Sequence, residues 1–217
     1  MHQDPIRNPL PSTRQFEGDQ LGAVRPSVRL LLILDQSLSM APHQELVAES
    51  LRSFVNTLKG APDQPRYLAT LVGFADQVQT IFLAQPIEKL AVSYKADGAG
   101  TALFDAMAHA FILEKSRREH VICLIVSDGE ENASKEADRE QVASMVRSRR
   151  EWGNWTFLWL NLQGKPSKSA RTLGINCVDS TLDQINKSLP EVANQICRVA
   201  ARLTGGDRRL LPGGLKR

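Results

Sequence analysis

The run VICLIVS at 121–127 is apolar on both of its alternating faces. A strand buries both faces most readily in the middle of a parallel sheet that is covered by helices on each side. Around this run, short β-type segments alternate with segments whose apolar residues recur at helical spacing. This order is typical of an open, doubly wound α/β sheet, which is the fold class that we predict.

The same patterns predict the order of the elements. Strands are expected at 28–34, 66–74, 77–83, 120–127, 155–161 and 175–178, and helices at 43–59, 101–116, 137–151 and within 181–204. The strands at 66–74 and 77–83 are too close in sequence for a parallel connection, so the second is predicted to be an antiparallel edge strand. Pro190 is expected to begin a second helix in the last segment, with Ser188 near its cap.

The length of 217 residues, 42% of them hydrophobic, allows one large domain with a substantial core. We predict a flexible N-terminal lead-in at 1–26, a single domain at 27–204 and a basic C-terminal tail at 205–217. The tail contains four Lys or Arg residues and one Asp, which accounts for the whole formal charge of +3. Because the rest of the chain is neutral overall, its charge gives little support to a nucleic-acid partner.

The cysteines and the length of the apolar segments indicate in which cellular compartment the protein is expected. Cys123, Cys177 and Cys197 are widely separated, lie in apolar surroundings and have no CxxC spacing. We therefore predict reduced, buried thiols rather than a disulfide or a metal site. No stretch approaches the ~18 apolar residues of a membrane span, and the first twenty residues contain no apolar block. A cytoplasmic protein without a membrane span is expected.

Three polar motifs fall at positions that a doubly wound sheet brings to one edge. DQSLS at 35–39 follows the first strand, DGAGT at 97–101 precedes a helix, and SDGEEN at 127–132 follows the central strand. In such sheets ligands bind outside the carboxyl ends of the strands, where the strand order reverses. Two carboxylates and three hydroxyls would meet there, those of Asp35, Asp128, Ser37, Ser39 and Thr101.

This set of oxygen donors suits a hard divalent cation. Mg²⁺ keeps several waters and is typically held by only one or two carboxylates. A spacing of two places Ser37 and Ser39 on the same side of an extended turn, and Gly98 and Gly100 let the loop before Thr101 approach closely. Each motif alone is also compatible with a helix cap or an Asx turn, so their combination is what favours a metal site.

The motifs resemble the metal-ion-dependent adhesion site of von Willebrand factor A (vWA) domains, whose pattern is DxSxS, a distant Thr and a later Asp followed by Gly. Here these stand as Asp35-Gln36-Ser37-Leu38-Ser39, Thr101 and Asp128-Gly129. The resemblance implies that Ser37 and Ser39 ligate the metal directly. It implies that Asp35, Thr101 and Asp128 do so directly or through water. Gln36 replaces the commoner Gly and is expected to narrow access to the ion.

The same resemblance, which covers roughly residues 27–204, implies a Rossmann-like vWA fold of the bacterial stand-alone type and a binding module rather than an enzyme. The expected metal is Mg²⁺, with Mn²⁺ or Ca²⁺ as alternatives. A Glu or Asp of a protein partner would complete its coordination. Members of this type often serve as cytoplasmic adaptors for ATPases, for kinase and phosphatase systems, or for stress and defence assemblies.

Two other classes of function stay open on the sequence. An Asp after the first strand also describes Mg²⁺-dependent phosphohydrolases and phosphotransferases, with Asp35 as the nucleophile. Their usual second acid, two residues later, is replaced here by Ser37. A nucleic-acid-associated accessory protein would use the basic groups at 116–119 and 147–150, which are instead expected to face water near helix ends. We assign four aromatic residues to the core rather than to a stacking platform, namely Trp152, Trp155, Phe157 and Trp159.

Overall fold

The computed structural model describes residues 27–60 and 65–204. The strands are β1 (Ser27–Asp35), β2 (Arg66–Phe74), β3 (Val78–Pro86), β4 (His120–Ser127), β5 (Trp155–Asn161) and β6 (Asn176–Asp179). The helices are α1 (Gln44–Lys59), α2 (Leu103–Leu113), α3 (Arg139–Glu151), α4 (Lys168–Thr172) and α5 (Ile185–Thr204). The predicted lead-in at 1–26 and the tail at 205–217 lie outside the described residues.

The six strands form one sheet in the order β3-β2-β1-β4-β5-β6. All neighbouring strands pair in parallel except β2 and β3, which form the predicted antiparallel hairpin at one edge. The predicted doubly wound fold is therefore confirmed. From β1 the chain first adds β2 on one side and later β4 on the other, so the strand order reverses between β1 and β4. That is where a sheet of this class opens a crevice for ligands.

The side chains of the central strands contribute to two apolar layers, one on each face of the sheet. In β1, Leu30, Leu32 and Leu34 point into the layer that contains buried residues of α1 and α5. Leu31 and Ile33 point into the opposite layer, which contains buried residues of α2 and α3. This alternation follows from the two-residue period of a strand, and it explains why β1 and β4 are apolar throughout.

The last helix differs from the sequence prediction. Pro190 does not begin a second helix but lies inside the continuous helix α5. Ser188 is not a cap, since its hydroxyl donates a 3.1 Å hydrogen bond to the carbonyl of Gln184. Proline removes one backbone hydrogen bond from a helix interior, but Leu189 and Ile196 are fully buried on either side of it. Burial of the shared apolar stripe keeps the two halves in one helix.

Two boundaries also differ. The helix predicted at 101–116 is shortened at both ends to α2, and Thr101 lies in the preceding loop, where its backbone N–H donates to Asn132 Oδ1. The strand predicted at 77–83 extends to Pro86, after a register shift opposite Thr70. Within that extension Ala84 has a φ of 45°. This left-handed conformation is unfavourable for residues other than Gly.

The thiols are not all buried. Cys123 is buried, Cys197 is partly buried and Cys177 is exposed, so the prediction was wrong for Cys177. That residue lies on the edge strand β6, which has only one neighbouring strand. No helix in the described ranges combines the length and the apolar character needed to cross a bilayer.

The aromatic residues of β5 belong to the core as predicted, with Trp155, Phe157 and Trp159 buried. Arg149 of the basic group at 147–150 is also buried, with its guanidinium 4.8 Å from the ring centre of Phe111 and 5.2 Å from that of Trp155. The expectation that this whole group faces water was therefore wrong for Arg149. Its cation is held by ring faces and carbonyl groups.

Candidate metal site

Asp35 ends β1 and is fully buried, with both carboxylate oxygens in hydrogen bonds. The backbone N–H of Ser37 donates to Oδ1 over 2.9 Å, and the hydroxyl of Ser127 donates to Oδ2 over 2.6 Å. The hydroxyl of Tyr94 donates to the main-chain carbonyl of Asp35 over 2.7 Å. The first two bonds fix the orientation of the carboxylate, and the third holds the backbone of Asp35 where the chain leaves the sheet.

A line of hydroxyl groups leads from Asp35 to the surface. The side-chain oxygens of Ser37 and Ser39 are 3.0 Å apart, and the hydroxyl of Ser39 donates to Asp128 Oδ1 over 2.9 Å. Ser37 is buried, whereas Ser39 is exposed and Asp128 is partly buried. The site is therefore open to a ligand at its Ser39 and Asp128 end.

Thr101 joins the site from a separate loop. Its backbone N–H donates to Asn132 Oδ1 over 2.9 Å, and its carbonyl accepts from the N–H of Asn132 over 3.1 Å. A Cβ built on Gly129 would lie 3.2 Å from Thr101 Oγ1 and 3.7 Å from Asp35 Oδ2. The hydroxyl and the carboxylate therefore face a common space that glycine leaves free. The structure brings all five predicted side chains together, and metal binding by them stays a prediction.

Gln36 does not lie in the site. Its Nε2 donates to the carbonyl of Lys95 over 3.0 Å, and its Oε1 accepts from Gln79 Nε2 over 3.0 Å. The side chain lies over Gly73 of β2, where a Cβ would collide with it. The expectation that Gln36 narrows access to an ion was wrong, because Gly73 provides room for this side chain within the fold.

Gly98 brings the middle loop close to DQSLS. Ser37 and Gly98 form an isolated parallel bridge, and the N–H of Leu38 donates to the carbonyl of Gly98 over 2.9 Å. A Cβ at position 98 would collide with Ala75. The close approach predicted for this glycine is therefore present.

Both carboxyl groups of the site resist ionisation. Burial raises the pKa of Asp35, hydrogen bonds from Ser127 and Ser37 oppose this rise, and the charge of Asp128 adds to it. Burial also raises the pKa of Asp128, against the hydrogen bond from Ser39 and the charge of His43. Two nearby carboxylates in such surroundings favour a cation between them.

The chemistry of the donors fits a hard divalent cation. In the two described stretches, no group of three or more His, Cys, Asp or Glu side chains is placed to hold a metal. The site instead offers two carboxylates, from Asp35 and Asp128, and three neutral hydroxyls. This donor set suits an ion that prefers oxygen and retains several waters.

Sequence reasoning missed the residues that support the site. Ser127 precedes Asp128 directly, so its position in SDGEEN was an available signal, as was that of Asn132. Glu131 in the same motif accepts a 2.9 Å hydrogen bond from the N–H of Phe104 at the start of α2. Tyr94 had no local signal, because it lies outside all three motifs and reaches the site only through the fold.

One comparison, with protein-family models, identifies the family of the chain. The sequence model described as "VWA domain containing CoxE-like protein" matches residues 14–182. No curated protein sequence matches the chain.

Several solved structures share the fold. One is the structure of proximal thread matrix protein 1 from the mussel byssus with a zinc-occupied metal-ion-dependent adhesion site (MIDAS) motif. It has 17% identity and a TM-score of 0.59, over 80% of this chain and 46% of that protein. A von Willebrand factor type A protein from Catenulispora acidiphila has 14% identity and a TM-score of 0.56, over 77% and 42%. The pilus adhesin SpaC of Lactobacillus rhamnosus GG has 11% identity and a TM-score of 0.65, over 82% and 31%. The chain thus spans less than half of each of these proteins.

Proposed function

We propose that this chain, which belongs to the family of VWA domain containing CoxE-like proteins, is a protein-interaction module that works through a bound Mg²⁺ ion. The observation that carries the proposal is the hydrogen-bonded line from Asp35 through Ser37 and Ser39 to Asp128, with Thr101 beside it. When bound, the cation supplies an electrophilic centre for a carboxylate from a partner protein. Mn²⁺ and Ca²⁺ are alternative occupants.

The residues of the chain have distinct roles in this proposal. Asp35 is held from three sides and would anchor the inner face of the ion. Ser37 and Ser39 would contribute neutral oxygens, which leave the ion more positive than a site of carboxylates would. Asp128 and Ser39 lie on the solvent side, where the Glu or Asp of a partner would arrive. The biological setting that we propose is an adaptor in a cytoplasmic assembly built around an ATPase, a kinase and phosphatase pair, or a stress or defence system.

We propose further that the chain is not an enzyme. A nucleophilic carboxylate needs access to its substrate, whereas Asp35 is fully buried and both of its oxygens accept hydrogen bonds. Incubation of Mg²⁺-loaded protein with a generic phosphoester should give no turnover. Turnover that Asp35→Asn abolishes would establish the phosphohydrolase instead.

The proposed function is tested with the double variant Ser37→Ala, Ser39→Ala. Mn²⁺ titration followed by electron paramagnetic resonance, with Mg²⁺ as competitor, should give saturable binding to the wild type and none to the variant. The matched control is Ser53→Ala, Ser144→Ala, which removes two exposed serines from α1 and α3. Circular dichroism should show all three proteins folded. Unchanged metal binding by the site variant would contradict the proposal.

A further inference from the structure

The first turn of α2 follows Thr101 in the chain and contacts the loop that carries Asp128. Its N-cap residue is Ala102, whose methyl side chain cannot accept a hydrogen bond from the helix. The first N–H groups of a helix have no partners within the helix and need acceptors from elsewhere. Two of these groups donate to side chains of the loop after β4.

Glu131 is the main acceptor for this helix end. Its Oε2 accepts from the N–H of Phe104 over 2.9 Å and from the hydroxyl of Ser134 over 2.6 Å. The hydroxyl of Ser134 in turn accepts from the N–H of Asp105 over 3.0 Å. A carboxylate stabilises the positive end of a helix, so Glu131 ties the start of α2 to the loop after β4.

Glu131 also shapes its own loop. Its Oε1 accepts from the backbone N–H groups of Ala133 and Ser134 over 2.9 and 2.7 Å. These bonds close a turn around Asn132, which pairs with both the N–H and the carbonyl of Thr101. The same carboxylate therefore supports Thr101 through Asn132 and through the helix that follows Thr101.

The two loops approach each other closely. A Cβ built on Gly100 would lie 2.7 Å from the Cβ of Ala133, so glycine is needed at this position. With this packing the hydroxyl of Thr101 faces the space beside Gly129 that it shares with Asp35. The position of Thr101 in the site therefore depends on the shape of the loop after β4.

We propose that Glu131 is a positioning residue of the metal site, which holds the hydroxyl of Thr101 in place without being a ligand itself. The inference rests on the proposed function, since it concerns the same site. Glu131 acts through Thr101, whereas Ser127 contacts Asp35 directly. Residues that orient metal ligands contribute to metal affinity although they do not touch the ion.

The test is a double-variant cycle of Glu131→Gln and Thr101→Val, with Mn²⁺ affinity measured by electron paramagnetic resonance. The Gln side chain keeps the shape of Glu131 but replaces one acceptor oxygen with a donor. Glu131→Gln alone should weaken Mn²⁺ binding about five- to ten-fold, near the lower end of the effect of losing a group that orients a ligand. In the Thr101→Val background, which has no hydroxyl to position, Glu131→Gln should change the affinity by less than about two-fold.

The outcomes separate this inference from the proposed function. Equal losses of affinity in both backgrounds would show that Glu131 does not act through Thr101. That result, or unchanged affinity in Glu131→Gln, would overturn the inference and leave the proposed function standing. Absence of saturable Mn²⁺ binding by the wild type would overturn both.

Asp138→Ala is the matched control for stability. It removes the cap of α3, where the side chain of Asp138 accepts from the N–H of Gln141 over 2.8 Å. The control should therefore lower the Tm and leave Mn²⁺ affinity unchanged. An equal loss of affinity in the control would make the effect of Glu131→Gln one of stability and would overturn the inference.

Amide hydrogen exchange in chelator gives a second measurement that needs no metal. The N–H of Thr101 should exchange faster in Glu131→Gln than in the wild type and at the wild-type rate in Asp138→Ala. Equal exchange in Glu131→Gln and the wild type would overturn the inference. If circular dichroism shows Glu131→Gln unfolded, Ser134→Ala takes its place in the cycle with the same expected pattern, since it removes the hydroxyl that bridges Glu131 and Asp105.

Discussion

The hydroxyl of Ser127 donates a 2.6 Å hydrogen bond to Oδ2 of Asp35, which lies 92 positions earlier in the chain. The two residues end the neighbouring parallel strands β4 and β1. This bond joins the two sides of the strand-order reversal. It also opposes the effect of burial on the pKa of Asp35.

We expect Ser127→Ala to weaken metal binding about ten-fold, the lower end of the effect of losing a residue that orients a ligand. Loss of the donor raises the pKa of Asp35 further, so the midpoint of Mn²⁺ binding against pH should move upward. The measurement is an Mn²⁺ titration between about pH 5 and 8. Ser144→Ala on α3 is the control. An unmoved midpoint would show that Ser127 does not tune Asp35.

Neutralising Asp128 should stabilise the metal-free protein. A carboxyl group whose pKa is raised by folding contributes stability below its unfolded pKa and loses it as the pH rises through the folded pKa. At neutral pH the ionised Asp128 therefore costs folding free energy. Asp128→Asn should raise the Tm in chelator and remove the rise that Mg²⁺ gives the wild type. Thermal unfolding at pH 7 in both conditions is the measurement, and a lower Tm in chelator would contradict the sign.

Gln36→Ala should affect stability rather than metal binding. The substitution removes the hydrogen bonds to Lys95 and Gln79, so we expect a loss of about 1–2 kcal/mol in the free energy of unfolding. Mn²⁺ affinity should stay within about two-fold of wild type, a change much smaller than the loss of a residue that orients a metal ligand would cause. Tighter metal binding by the variant would mean that Gln36 does restrict access to the ion.

Ala84→Gly should stabilise the protein, because glycine tolerates the φ of 45° at this position. The gain should be about 0.5–1 kcal/mol in denaturant unfolding, since the relief of strain outweighs the added freedom of the unfolded chain. Ala91→Gly is the matched control at an exposed position without positive φ. That control should lose a few tenths to about 1 kcal/mol. A loss of the same size at both positions would refute strain at Ala84.

Much of the fold could be predicted because the signals were local. The apolar run VICLIV predicts a strand that is covered on both faces. The short link between β2 and β3 predicts an antiparallel pair. Neither prediction needs information from distant residues. The three motifs were placed at one edge by strand order alone, and that placement brought Asp35, Thr101 and Asp128 together.

Three of the errors depend on contacts that sequence spacing does not contain. The direction of Gln36 is decided by the absence of a side chain at Gly73. Pro190 stays within α5 because the apolar stripe on both sides of it is buried. Arg149 is buried because the rings of Phe111 and Trp155 surround it. Each of these three errors thus reflects tertiary packing that outweighs a local preference.

The order of assembly follows from the strand-order reversal between β1 and β4. The candidate ligands come from three segments, with Thr101 lying 62 residues after Ser39 and Asp128 lying 27 residues after Thr101, so no short piece of the chain holds enough of them to capture an ion early. Their meeting awaits the pairing of β1 with β4, a non-local step of the kind that makes folding slow. A metal that binds only after the sheet has formed would leave the folding rate unchanged. It would slow unfolding, because the bound ion stabilises the native state and not the transition state.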